Sequence, residues 1–159
     1  IRNSGGRIPF GKVTINLAPA DIKKAGPTYD LPIAVGILLA SEQLAADLSD
    51  ALIVGELSLD GVLRHTPGII AMISHAAQKG MRRAFVPFDD AKEAALVGGL
   101  EIYPVRTLAD LVNHLTGDVP IAPYSADAEE VVSERIGRID FSEIRGQEHV
   151  KRGLEVAAA

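Results

Sequence analysis

The hydrophobic pattern of the first third of the chain predicts a strand followed by a buried helix. Lys12–Leu17 alternates polar and apolar positions and includes β-branched residues, which is typical of a half-buried strand. A loop with glycine and proline follows and ends at Asp30, a residue type that favours a helix N-cap. The apolar positions from Leu31 to Leu44 then fit one buried face of a helix that is apolar nearly all round.

The middle of the chain, up to residue 117, alternates between short strand-like and helix-like segments. Residues 52–57 predict a strand, and Asp60-Gly61 predicts the turn of a hairpin with a second short strand. The next segments are a helix over 68–79 ended by Gly80, a strand over 84–87, a helix from Asp89 or Asp90 to 97, a strand over 102–105 and a helix capped by Thr107. This order predicts an α/β domain over residues 1–117, with mainly parallel strands in its second half.

Residues 118–138 have a different composition from the rest of the chain. They contain prolines, serines and a run of acidic side chains but few large apolar residues, which indicates an acidic linker. Residues 139–159 regain apolar positions and end inside a predicted helix, so we interpret them as the truncated start of a second domain. Since the sequence also lacks an initiating methionine, we interpret the chain as a fragment.

The composition restricts the kind of protein. With 159 residues, 47% hydrophobic, 4% aromatic and no cysteine, the chain is long enough for one aliphatic core but has no disulfide or thiolate chemistry. Its longest apolar run is far shorter than the roughly 20 residues that span a bilayer, so we expect no membrane insertion and a cytoplasmic location. The four histidines lack the spacing of a metal site, and neither a GxxxxGK[ST] nor a GxGxxG motif is present.

The charge is distributed unevenly along the sequence. The net charge of −5 does not favour nucleic-acid binding through overall charge, but residues 1–24 carry five basic side chains against one acidic one. These residues predict a local basic patch that could contact phosphates, although an ordinary solvated surface remains an equal alternative. With Arg64 added, the candidate DNA contacts are Arg2, Arg7, Lys12, Lys23, Lys24 and Arg64.

Two short sequence motifs resemble those of a known protein family. Asn16–Asp21 reads Asn-Leu-Ala-Pro-Ala-Asp, and Tyr29–Ala34 reads Tyr-Asp-Leu-Pro-Ile-Ala. Both lie within Lys12–Ala40, which together with residues 55–64 and 67–80 closely resembles the amino-terminal domain of the ComM family, also called YifB or magnesium-chelatase-like AAA+ ATPases. That domain is similar to the proteolytic domain of Lon and to the carboxy-terminal domain of RadA. The resemblance therefore implies a ribosomal-protein-S5-domain-2-like, Lon-like α/β (α+β) fold, expected here without its first strands and with an exposed sheet edge.

The comparison with Lon also predicts whether the domain can hydrolyse peptides. Lon-type proteolysis uses a serine after a Gly-Pro turn and a lysine on the next helix as its base. Aligning the helices places Asp30 at the serine position and Ile70 at the lysine position. We therefore expect a pseudo-protease with no catalytic residues, in which Asp30 serves as a helix cap. The alternative is a residual peptidase that uses Thr28, the nearby hydroxyl.

The last residues resemble the beginning of the AAA+ module of the same family. There an Ile-x-Gly-Gln-Glu stretch lies beside adenine, which implies Ile144, Gly146 and Gln147 on the adenine side. The family's phosphate-binding loop lies farther on, so we expect no cofactor in this fragment and ATP with Mg²⁺ in the full-length parent. The implied partners are the protein's own AAA+ domain, the other subunits of a homo-hexamer and DNA.

The resemblance implies a function for the parent protein. We expect a non-catalytic Lon-like domain of an ATP-driven motor that moves DNA branches during recombination and natural transformation, the process of competence. An accessory role in metal insertion into a porphyrin is the remaining alternative, but the sequence offers no metal ligands for it.

Overall fold

The computed structural model describes residues 1–17 and 26–125, which build a mixed α/β domain. A three-stranded parallel sheet has the order β1-β4-β5, and a two-stranded antiparallel sheet pairs β2 with β3. The elements are α1 Asp30–Ala40, β1 Ala51–Ile53, β2 Glu56–Leu57, β3 Leu63–Arg64, α2 Ile69–Gln78, β4 Arg83–Pro87, α3 Ala91–Ala95, β5 Glu101–Val105 and α4 Leu108–Thr116. The predicted α/β architecture with parallel strands in its second half is confirmed.

Helices cover both faces of the parallel sheet. Phe85 of β4 points into a core that contains Leu31 and Leu38 of α1 and Leu108 and Leu111 of α4. Its neighbours Ala84 and Val86 point to the opposite face, where the residues packed with them come mainly from α2 and α3: Ile69, Ile73, Ala91 and Ala94. This alternation along β4 places one helix layer on each side of the strands.

Helix α1 is shorter than the apolar run predicts. Its buried positions are Leu31, Ala34, Val35 and Leu38, and the helix ends at Ala40. The Ser41 hydroxyl donates to the Ile37 carbonyl at 2.7 Å, and Glu42 adopts a φ of 57°, which a continuing helix excludes. Leu44 is buried in the core but lies beyond the helix, so assigning it to a helical face is wrong.

The strand predicted over 12–17 is not formed. Val13 and Ile15 are 44% and 50% exposed, and no residue of this segment pairs with a strand among the described residues. The segment instead runs beside the outer side of α1, where it lines a groove of about 490 Å³ with Ile33 and Ile37. An alternating pattern produces a strand only where a second strand pairs with it, and no strand in the described part of the chain pairs with this segment.

The single strand predicted over 52–57 is divided into β1 and β2. The division falls at Val54 and Gly55, where the chain leaves the parallel sheet and enters the hairpin. The hairpin predicted at Asp60-Gly61 is confirmed, since Ser58 N donates to the Val62 carbonyl at 3.0 Å and Gly61 has a φ of 87°. The residue pair Asp-Gly thus indicated the turn correctly. The mostly apolar run over 52–57, in contrast, gave no sign that its two ends belong to different sheets.

The helix ends in the second half of the domain agree with their local signals. Gly80 follows α2, and Thr107 forms a capping box with Asp110 at the start of α4. The predicted helix after Asp90 begins with a 3-10 turn over Phe88–Asp90 and continues as the short α3. None of the helices in the two described ranges could cross a membrane.

The first compact unit of the chain is Ile1–Ser125. It therefore includes the first residues of the predicted linker, because Val119 N donates to the Asn113 carbonyl at 3.1 Å and Tyr124 N to the Ile102 carbonyl at 2.7 Å. The rest of that predicted linker and the predicted start of a second domain lie outside the described residues.

Candidate functional site

A cavity lies between the start of α1, the end of β1 and one side of α2. Its volume is about 470 Å³ and most of its surface is apolar. The residues that line it are Thr28, Tyr29, Pro32, Leu52, Ile53, Val54, Met72 and His75. It lies at the carboxyl end of a parallel strand, which is where α/β proteins commonly bind ligands.

Backbone hydrogen bonds fix the chain around Thr28. A 3-10 turn over Pro27–Tyr29 leads directly into α1. Gly55 N donates to the Thr28 carbonyl at 3.1 Å, and Leu31 N donates to the Gly55 carbonyl at 3.1 Å. These two bonds join the first turn of α1 to the point where β1 gives way to β2, so the hydroxyl of Thr28 lies on a well-supported backbone.

Asp30 does not cap α1, contrary to the sequence prediction. It is the first helical residue, the N-cap position belongs to Tyr29, and no side chain makes a cap hydrogen bond there. The Asp30 carboxylate instead accepts the Leu57 N–H at 3.4 Å. Asp30 therefore links α1 to β2, and a carboxylate in the first turn is also favoured by the helix dipole.

Ile70 does not line the cavity. It is 44% exposed on α2, and a rotation of about 100° per residue places it on a different side of the helix from Met72 and His75. No lysine is among the residues that line this cavity in the described part of the chain. The described residues of the cavity therefore do not supply the amine that a serine or threonine nucleophile of the Lon type would need.

The structure brings His75 to the same cavity as Thr28, which the sequence prediction missed. No hydrogen bond joins these two side chains in the described structure. The sequence contained one usable signal, since Met72 and His75 are three residues apart and therefore share a side of α2. Their proximity to Thr28 depends on the packing of α2 beside β1, which no local pattern reveals.

A second polar group lies outside the cavity, at the connection between β3 and α2. The Asp90 carboxylate is 1% exposed, accepts the Thr66 N–H at 2.8 Å and bonds Nδ1 of His65. The hydrogen bond to Asp90 and the charge of that carboxylate raise the pKa of His65 above its usual 6.5. This pair ties the chain before α2 to the turn before α3.

The predicted basic patch is described only in part. Arg2, Arg7 and Lys12 are exposed in the first segment, and Arg64 is exposed on β3, where Glu56 is its partner across the hairpin. Lys23 and Lys24 lie outside the described residues, as do the predicted adenine-side residues Ile144, Gly146 and Gln147. Within residues 1–17 and 26–125, no cluster of three or more histidine and carboxylate side chains could hold a metal ion.

Comparison with known proteins gives one family and several relatives. The family described as subunit ChlI of Mg-chelatase matches residues 1–90. The chain is 41% identical over 162 residues to the competence protein ComM of Haemophilus influenzae, covering 100% of this chain and 32% of the relative. It is 43% identical over 161 residues to the YifB protein of Escherichia coli, covering 100% of this chain and 31% of the relative.

A more distant similarity connects the domain to proteases. The chain is 29% identical over 104 residues to Lon protease 2 of Bacillus subtilis, covering 64% of this chain and 18% of that protease. The chain spans about a third of the length of the ComM and YifB relatives.

Proposed function

Because the chain belongs to the family of subunit ChlI of Mg-chelatase, we propose that it forms a non-catalytic, Lon-like domain of a larger ATP-driven motor that acts on DNA. The observation that carries the non-catalytic part is the cavity between α1 and α2. Among the described residues it is lined by Thr28 but by no lysine, and Ile70 lies on another side of α2. The cavity then serves the packing of the domain or the binding of an apolar group.

The role of the parent protein is inferred from its relatives. The name of the Haemophilus influenzae relative supports a function in competence, and the resemblance described above implies branch migration of DNA during recombination. In this proposal a cytoplasmic homo-hexamer binds ATP and Mg²⁺ through its AAA+ domain, and the Lon-like domain supports ring assembly or guides DNA. The 159 residues contain no GxxxxGK[ST] loop, so this chain alone is expected not to hydrolyse ATP.

DNA contact by the Lon-like domain can be tested on this chain directly. We expect fluorescently labelled single-stranded or branched DNA to bind at low salt, and the affinity to fall as salt rises. Lys12→Glu should weaken binding and reduce the salt slope by about one. Lys79→Glu is the matched control, because Lys79 is also exposed but lies at the end of α2, apart from the first segment.

The same titration can contradict the proposed contact. If no binding is detected at low salt, or if Lys12→Glu and Lys79→Glu weaken it equally, the first segment does not form the DNA surface. Charge reversal of Lys23 and Lys24 extends the test to two basic residues that lie outside the described part of the chain. Unchanged affinity in that double variant would leave those two lysines as ordinary solvated charges.

A residual peptidase is the second candidate, and one observation favours it. Thr28 and His75 line the same cavity, so an imidazole is present near the hydroxyl that sequence analysis left without a base. A fluorogenic peptide assay on the pure chain is expected to show no turnover. Turnover that disappears in both Thr28→Ala and His75→Gln, but persists in Ile70→Ala, would replace our proposal with a threonine hydrolase.

An accessory role in metal chelation has only the family description in its favour. The described residues contain no group of side chains that could bind a metal ion, so this role would need support from calorimetry that shows binding of Mg²⁺ by this chain. We expect no heat of specific binding.

A further inference from the structure

One side chain holds the last described residues against the domain. Nδ1 of His114, on α4, accepts the Ile121 N–H at 2.9 Å. A ring nitrogen that accepts a backbone N–H carries no proton, so this bond requires a neutral imidazole with its proton on Nε2. The contact joins the end of α4 to the segment over 118–125, which we call the tail segment.

The imidazole is fixed by two aromatic rings of the sheet. Its centroid lies 5.5 Å from that of Phe85 on β4 and 5.0 Å from that of Tyr103 on β5. Phe85 is fully buried, so the imidazole packs on the edge of the hydrophobic core rather than standing in solvent. Ile121 packs against the same core. A proton added to this ring therefore enters a largely apolar setting.

The charged groups around the ring do not favour the protonated form. Burial lowers the pKa of His114, and the nearby positive charge of Arg83 lowers it further. Other charged groups on the surrounding elements are Glu101, Asp110 and Asp118, and each has its own partner. Glu101 accepts from the Tyr103 hydroxyl, Asp110 from Thr107 N and Asp118 from the Thr116 hydroxyl. Arg83 is itself hydrogen-bonded to Asp50.

We propose that His114 is a proton-sensitive latch, whose neutral ring holds the tail segment on the domain and whose protonation releases it. Protonated Nδ1 becomes a donor that faces the Ile121 N–H, so the bond is replaced by repulsion between two donors. Tyr124 N donates to the Ile102 carbonyl farther along the tail segment. This bond also requires the tail segment to lie against the domain. The bond from Val119 N to the Asn113 carbonyl is not affected, so release concerns residues 120–125 and would free roughly 20 Å of extended chain, at about 3.3 Å per residue.

The direction of the pH effect is set by the lowered pKa. His114 lies on α4 and keeps its aromatic neighbours when the tail segment leaves, but its Nδ1 then no longer accepts the Ile121 N–H, so the released state takes up a proton more readily than the latched state. The latch is therefore closed while the ring is neutral and weakens as the pH falls through the lowered pKa of His114.

The test measures the hydrogen-exchange protection factor of the Ile121 amide in the full chain, because this ratio corrects for intrinsic exchange at each pH. In the wild type we expect protection to fall about two- to tenfold between pH 7.5 and pH 4.5 as the ring becomes protonated, the loss of one hydrogen bond. The Phe85 amide, in the core, should keep its protection over the same range, which separates local release from unfolding.

Two substitutions at position 114 separate the acceptor from the packing. His114→Asn places an amide oxygen close to the position of Nδ1, so protection should persist at both pH values. His114→Phe keeps a ring but has no acceptor, so protection should be lost at both. His75→Asn removes a different histidine and should leave the pH profile of the Ile121 amide unchanged.

The outcomes either support or overturn the latch. Equal protection of the Ile121 amide at pH 7.5 and 4.5 in the wild type would overturn it, and so would a wild-type pH profile in His114→Asn, since another group would then titrate. If His114→Phe fails to fold, the comparison of wild type with His114→Asn still decides the question.

Discussion

Removal of the Asp90 carboxylate tests how α2 and α3, which lie on the same face of the parallel sheet, are joined. Asp90 is buried at the turn before α3, yet both of its partners belong to the chain that leads into α2. Asp90→Ala leaves the Thr66 N–H without an acceptor and His65 without its carboxylate. The variant therefore removes a connection between α2 and α3 without removing an apolar contact of comparable size.

The magnitude can be estimated bond by bond. A hydrogen bond from a buried backbone N–H to a charged acceptor contributes about 1.5–3 kcal/mol. The pair with His65 contributes less, at most about 1 kcal/mol, because the imidazole side chain is 61% exposed and screened by water. We expect Asp90→Ala to lower the free energy of unfolding by about 2–4 kcal/mol. Asp90→Asn keeps one acceptor oxygen and should lose about half as much.

The pair also gives the stability a pH dependence with a definite sign. Since Asp90 raises the pKa of His65 above 6.5, the contribution of the pair is fully present below pH 6.5. It is lost as the pH rises through the raised pKa of the folded state. In Asp90→Ala the part of the pH dependence above pH 6.5 that is due to His65 should disappear.

Urea unfolding followed by circular dichroism at several pH values between 5.5 and 8.5 measures both effects. His65→Gln and the double variant with Asp90→Ala complete a double-mutant cycle, whose coupling energy isolates the pair. A loss below about 1 kcal/mol in Asp90→Ala would refute the assigned role of the Thr66 bond. An unchanged pH dependence above 6.5 would refute the assigned role of His65.

Three further predictions concern local features of the domain. The Thr66 hydroxyl is buried and has no partner in the described structure, so Thr66→Val should raise the free energy of unfolding by up to about 1 kcal/mol in urea titrations. Thr107→Ala removes the capping box of α4 and should cost about 1 kcal/mol by the same measurement. Gly36→Ala meets open space inside α1 and should raise the melting temperature, whereas Gly61→Ala would place Cβ 2.5 Å from the Ser4 hydroxyl at a φ of 87° and should lower it.

Local signals made much of the second half of the fold predictable. Thr107 and Gly80 mark helix ends because their side chains, or the lack of one, act within a single turn. The alternation of apolar segments also gave the correct class of sheet. The first segment failed because a strand needs a partner, and Asp30 was assigned wrongly because its own partner, Leu57, lies in another element.

Of Thr28 and His75, which both line the candidate site, only the position of Thr28 could be predicted from the sequence. Thr28 comes directly after a Gly-Pro pair, so its place before a helix could be inferred from the sequence. His75 comes from a helix packed beside β1, and its position depends on the fold as a whole. The pairing of His65 with Asp90 also depends on the fold as a whole, because 25 positions separate the two residues in sequence.

The parallel sheet has a consequence for the order in which the domain folds. β4 and β5 are separated only by a 3-10 turn and the short α3, whereas β1 and β4 are separated by the whole hairpin and α2. The entropy of closing a loop rises with its length, so the β4–β5 pair is the less demanding one to form first. We therefore expect the transition state to contain β4, α3 and β5, and the edge strand β1 to join only after this nucleus is in place.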